Sequence, residues 1–253
     1  MEKWFPEMYD RPENGPVAAS AIYWGICYFL IPFVTIFLSW AFSSDLTAVI
    51  GVDIATYILN FVCMLSLFRS YLSDSLMEVQ LDLPRFLKTV LISTILMLVV
   101  ELGLIFWGFR WDIPGTLWSY PLSETSVVAS TCFIVIGSPL VGTLCMTLLT
   151  PVTVSCMFYA TVFAPLATKN PKLAYIVTPI LLLFPRLLSS WWLHTGFYDL
   201  SIYLFQLPVH LIACWAYQKS NSVWAPIVTI SITNLLVSLF FLFLSMIGFI
   251  VNG

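Results

Sequence analysis

FLKTVLISTILMLVVELGLIFWG, residues 86–108, decides what class of protein this is. It carries one charge near its start, Lys88, and one past its middle, Glu101, and is otherwise apolar apart from Thr89, Ser93 and Thr94. As a helix it rises about 34 Å at about 1.5 Å per residue, enough for a bilayer core of about 30 Å. Similar apolar runs precede it at 20–42 and 46–68. Composition agrees: 60% of the 253 residues are hydrophobic and 9% are charged, with a mean hydropathy of +0.96. A water-soluble domain of this size needs far more charge to cover its surface, whereas lipid requires an apolar one. The chain therefore reads as an all-α, polytopic transmembrane helical bundle.

Residues 1–19 are polar, hold three prolines and more acid than base, and lack the basic start of a signal peptide, so they are expected to remain on the mature protein. Residues 20–253 form a single transmembrane domain. Between the second and third spans, RSYLSDSLMEVQLDLPRFLK mixes charges with Leu, Met and Val and suits a segment lying on the membrane surface. From 126 to 168 runs an apolar stretch holding Pro139 and Pro151, too long for one straight helix. Either two helices or a helix plus a re-entrant piece is expected there. Further spans follow at 173–192, 198–217 and 223–251, about eight hydrophobic segments in all.

Lys and Arg prefer the cytoplasmic side. Lys3, Arg11, Arg69, Arg85 and Lys88 flank one side of the first three spans and Arg110 the other. If 126–168 crosses once, Lys169, Lys172 and Lys219 join the first group; if twice, they oppose it. A cytoplasmic N-terminus in a multi-pass protein of the cell membrane is expected. The net charge of −3 is spread out, so neither a nucleic-acid partner nor an acidic tail is indicated. The six cysteines, Cys27, Cys63, Cys132, Cys145, Cys156 and Cys214, lie in apolar runs without CxxC spacing and read as small buried hydrophobes.

Residues 217–234, YQKSNSVWAPIVTISITN, resemble the last motif of the CPBP family of intramembrane proteases, which includes CAAX prenyl proteases and bacteriocin-processing and immunity proteins. In that motif a turn Y-x-x-T-G-S-L-W-A-P-I introduces a helix bearing H-x-x-x-N. Tyr217, Ser222, Trp224, Ala225, Pro226 and Ile227 match, Asn234 stands at the motif's Asn, and Ile230 replaces its His. The family's P-x-x-E-E-x-x-x-R helix aligns with PVTVSCMFYATVF at 151–163, where Val154 and Ser155 replace the glutamates and Tyr159 the Arg. Its F-x-x-x-H aligns with FPRLL at 184–188, where Leu188 replaces His. The resemblance covers 125–245. It implies a protease bundle without the acids and imidazoles that relatives use to hold a metal or activate water. No cofactor or metal is therefore expected, and Ser155, Tyr159, Arg186 and Asn234 remain as a candidate polar pocket.

Other candidates for chemistry are few. Glu101 is an acid inside a span, a functional position by default, or a protonated or hydrogen-bonded structural acid. Arg186 follows Pro185, whose missing N–H frees a carbonyl that a guanidinium can bond. A structural role, with Glu101 as a candidate partner, stands beside the gripping of a peptide carboxylate. His194, Asp199 and His210 are the residues from which a replacement metal site could be built, although capping and snorkelling explain the first two. Tryptophans near span ends, Trp224 among them, read as interfacial anchors. The function that best fits is a catalytically inactive membrane module that binds a peptide or membrane-protein partner in the bilayer. The alternatives are an active endopeptidase with substitute residues, or a membrane subunit of a transport complex.

Overall fold

The computed structural model describes residues 12–25, 46–110, 144–192 and 197–252. Every described element is helical. In order they are α1 (14–25), α2 (Leu46–Leu67), α3 (Arg69–Leu81), α4 (Leu83–Arg110), α5 (144–167), α6 (Pro171–Trp192), α7 (Phe197–Ser220) and α8 (Trp224–Asn252). The decisive stretch lies within α4, one continuous helix of 28 residues. Two segments, Leu83–Gly103 of α4 and Thr147–Ala167 of α5, are long and apolar enough to cross a membrane. This is fewer than the eight hydrophobic segments expected. Ile58–Leu67, Pro171–Leu182 and Trp224–Phe240 are shorter apolar stretches within α2, α6 and α8. The segment 20–42 lies mostly outside the described residues, as does 126–143 with Pro139.

Register follows from hydrogen bonds between hydroxyls. Ser93 and Thr229 share one of 2.8 Å, and Thr233 Oγ1 reaches Met97 Sδ at 3.9 Å. Both pairs are 136 residues apart, and a constant offset means that α4 and α8 run parallel. The turn at 221–223 makes α7 antiparallel to α8, and hence to α4. Tyr175 donates to Gln218 Oε1 at 2.9 Å, aligning the start of α6 with the end of α7. Ser20 Oγ lies 3.6 Å from Met64 Sδ, and Tyr23 donates to Asn60 Oδ1 at 2.6 Å. These falling partner numbers make α1 antiparallel to α2.

One end of the bundle is therefore built by the start of α1, the ends of α2, α5 and α7, and the starts of α4, α6 and α8. The short helix α3 closes it. The Tyr71 and Tyr217 hydroxyls bond each other, Ser75 meets Ser222 at 2.8 Å, and Arg85 Nε donates to the Lys219 carbonyl at 3.0 Å. Trp224, read from sequence as a lipid-facing anchor, donates its indole N–H to the Leu72 carbonyl at 2.8 Å and pins α3 down. The chain turns from α7 into α8 through Asn221, whose φ is 55°. Asn tolerates this left-handed region better than any β-branched residue.

Pro151 does not divide α5. The helix runs through it, with π-helical turns at Cys145–Leu149 and Ser155–Phe163. Each π stretch ends two residues before a proline, Pro151 or Pro165. A proline ring collides with the carbonyl four residues earlier, and a widened turn moves that carbonyl aside. Thr161 records the change: its hydroxyl lies 2.8 Å from the Cys156 carbonyl five residues back, whereas Thr153 in the α-helical part reaches Leu149, four back.

Polarity is inverted relative to a water-soluble bundle. Leu87, Leu91, Ile95 and Val99 line an outward stripe of α4, all at least 52% exposed. Ile176 and Ile180 on α6, and Leu235, Leu236 and Leu239 on α8, are exposed too. The buried faces hold Ser93, Thr94, Glu101, Thr178, Gln218, Thr229, Thr233 and Asn234. Described cysteines Cys63, Cys145, Cys156 and Cys214 are free thiols, the last three buried. At the α7–α8 turn, Asn221→Gly should leave stability within about 0.5 kcal/mol, while Asn221→Val costs about 1–2 kcal/mol. Thermal unfolding in mild detergent measures both.

Candidate functional site

α5 packs against α2, α6 and α8, so its side chains point into the middle of the bundle. Ser155 and Tyr159 lie within one wide π turn and are both fully buried. The Tyr159 hydroxyl and His210 Nδ1, on α7, share a hydrogen bond of 3.0 Å. Ser155 Oγ has no hydrogen-bond partner. Asn234 is buried on α8 and Ile230, one turn earlier, is 8% exposed, so both face inward as the motif alignment requires. Phe158 is buried, with Trp24 of α1 packed edge-on at 6.2 Å.

Of the candidate pocket, Ser155, Tyr159 and Asn234 are thus interior groups on two helices that touch. Arg186 and Leu188 fall on α6 where only the backbone is described, so the pairing of Arg186 with Glu101 and the Leu188 position lie outside the described side chains. His194 lies outside the described residues, and Asp199 is described in backbone alone. Of the proposed replacement metal site, only His210 has a described side chain, and its Nδ1 is engaged by Tyr159.

Sequence reasoning missed this Tyr–His pair. The two residues are 51 positions apart, and only the packing of α5 beside α7 brings them together. It also missed Gln218, buried and bonded to Tyr175.

The donor set does not fit a metal. Val154 and Ile230 offer no donor atoms, and Ser155 offers a neutral hydroxyl, a poor substitute for carboxylate or imidazole. Among the described residues no three of His, Cys, Asp and Glu converge. What the arrangement can do is bind: Tyr159 and His210 each donate or accept a hydrogen bond, and the unsatisfied Ser155 hydroxyl can take one more. At the basic end, burial and then the Asp74 charge hold the Glu78 carboxyl above its ordinary range. Ionisation of Glu78 therefore slightly opposes the docking of α3, which is favoured as pH falls.

Comparison of the chain with family models, with curated proteins and with solved structures finds no match in any of the three.

Because interhelical hydrogen bonds inside bilayers contribute about 0.6–2 kcal/mol, Tyr159→Phe should lower stability by that amount. A double-mutant cycle with His210→Ala should recover most of it as coupling. Coupling near zero means that the pair holds nothing together. Asn234→Leu should be felt more strongly than Asn234→Gln in the same assay.

Proposed function

We propose that the protein is a multi-pass integral membrane protein of CPBP-like build, catalytically inactive, that binds a peptide or membrane-protein partner inside the bilayer where α5 meets α8. The observation that carries this reading is the inverted polarity of the bundle: apolar stripes outside, hydroxyls, an amide and an acid inside. In water the exposed Leu, Ile and Val stripes would be a large unpaid hydrophobic surface; in lipid they are the solvent-matched one. The long helices α2, α4, α5, α6, α7 and α8 cross the membrane, and residues 26–45 and 111–143 supply the rest of about eight segments.

Orientation follows from charge. Arg69, Arg85, Lys88, Lys169, Lys172 and Lys219 all belong to the end closed by α3, the arrangement expected if 126–168 crosses once. That end is cytoplasmic by the preference of Lys and Arg, and the N-terminus lies with it. The family resemblance is supported by Asn221, which stands at the Gly of the motif turn and adopts the positive φ that a Gly serves. It is supported also by the packing of α5 on α8 with Ser155, Tyr159 and Asn234 all interior. Loss of the acids and imidazoles removes chemistry, but recognition needs only shape and a few polar contacts. The role is that of a regulatory or immunity module using no cofactor and no nucleic acid.

Membrane embedding predicts that Ile95→Lys and Val99→Lys each cost about 2.5–3.5 kcal/mol, where a water-facing site would change by about 0.5 kcal/mol or less. Expression level together with resistance to alkaline carbonate extraction reads this out. For the binding role, Ser155→Ala removes an unsatisfied buried hydroxyl and should leave stability unchanged or raise it by up to about 1 kcal/mol. Partners captured from native membranes in mild detergent should nonetheless be lost. Capture equal to that of the wild type, or cleavage of a prenylated or leader peptide by a zinc-loaded protein, refutes the proposal.

A further inference from the structure

Glu101 is 2% exposed, on the buried stripe of α4 that also carries Ser93, Thr94 and Met97. Its Oε2 accepts no hydrogen bond, and the ion pair found among the described residues is Arg85 with Asp82, at the far end of the helix. An ionised carboxylate so placed is strongly unfavourable, so the group must carry a proton or a bound cation whenever it is enclosed. Extending the 136-residue register of α4 and α8 sets Glu101 level with Val237, between Asn234 and Ser238 on the buried face of α8. Toward the basic end the same seam offers Thr94, whose hydroxyl is buried and unpartnered, then the bonded pair Ser93 and Thr229, then Thr89. Hydroxyls both donate and accept, as a proton route requires.

No described base neutralises Glu101. α8 contains no titratable residue. On α7 the described groups are His210, bonded to Tyr159, Cys214, Tyr217, bonded to Tyr71, and Lys219 at the basic end. On α3, Arg69, Tyr71, Asp74 and Glu78 belong to that end, as do Arg85 and Lys88 of α4 itself.

We propose that Glu101 is a proton-binding site in the membrane interior that exchanges its proton with the basic end along the hydroxyl-lined seam between α4 and α8. An O–H bond forms on the Glu101 carboxylate and one breaks on a hydronium at the basic end, so each uptake carries one positive charge inward. The site rests on membrane embedding and is independent of the partner-binding role.

The test uses the full chain in liposomes, treated with dicyclohexylcarbodiimide, which modifies protonated carboxyls in apolar surroundings, and in parallel with a water-soluble carbodiimide. Peptide mass spectrometry reads modification of Glu101, with Glu101→Gln as the assignment control. Modification by the apolar reagent alone, falling more than about tenfold between about pH 6 and about pH 10 with or without sodium, is the expected result. Equal modification at every pH identifies a fixed structural proton and overturns the proposal. Absence of modification, or protection by sodium without a pH response, overturns it as well. The route has its own readout: in Ser93→Ala/Thr94→Val, modification should fade several-fold more slowly after an alkaline pH jump. An unchanged rate excludes the seam. Modification by the water-soluble reagent instead means that membrane embedding has failed, which separates the two readings.

Discussion

The rest of this structure depends on the pairing of α4 with α8 through buried hydroxyls. In an apolar surrounding there is little hydrophobic gain in bringing one helix against another, so hydrogen bonds and close packing must set the register. Ser93 with Thr229 and Met97 with Thr233 set it, at one constant offset. Once these two helices are fixed as parallel neighbours, the short turn after α7 leaves that helix only an antiparallel course. Trp224, at the first position of α8, then holds α3 across the end through the Leu72 carbonyl.

α5 shows how the same environment treats prolines. In water a proline within an apolar run commonly ends a helix, because freed carbonyls can turn to solvent. Inside a bundle no solvent replaces the lost bond, and the backbone instead widens into π turns that keep its groups within the helix. The widening changes which residues face inward. Ser155 and Tyr159 come to share one side of α5, and Tyr159 meets His210 across the gap to α7. A site of interior hydroxyls and an imidazole thus arises from backbone geometry as much as from side-chain choice.

Buried polar groups here fall into two kinds. Most are paired: Tyr175 with Gln218, Ser75 with Ser222, Ser93 with Thr229. A few are not, namely the hydroxyls of Thr94, Thr150, Ser155 and Thr178 and one oxygen of Glu101. An unpaired buried polar atom costs stability, so its presence is a pointer to something it meets at another moment. Ser155 points to a bound partner and Glu101 to a proton, and the two lie on different helices.

The helical class and the apolar exterior were legible in residues 86–108 and in the composition, because the solvent a chain folds in dictates its average polarity. The inward face of Ser155, Tyr159 and Asn234 was legible through the spacing of the two motif stretches. The fate of Pro151 was not, since whether a proline breaks or widens a helix depends on what surrounds the freed carbonyls. Neither was the Tyr159–His210 bond, or the tie from Trp224 to Leu72, both of which join residues far apart in sequence. Sequence by itself determined which segments are helical and which groups must be hidden from lipid; tertiary structure alone decided who meets whom, because pairing is set by register and crossing, which no local pattern encodes.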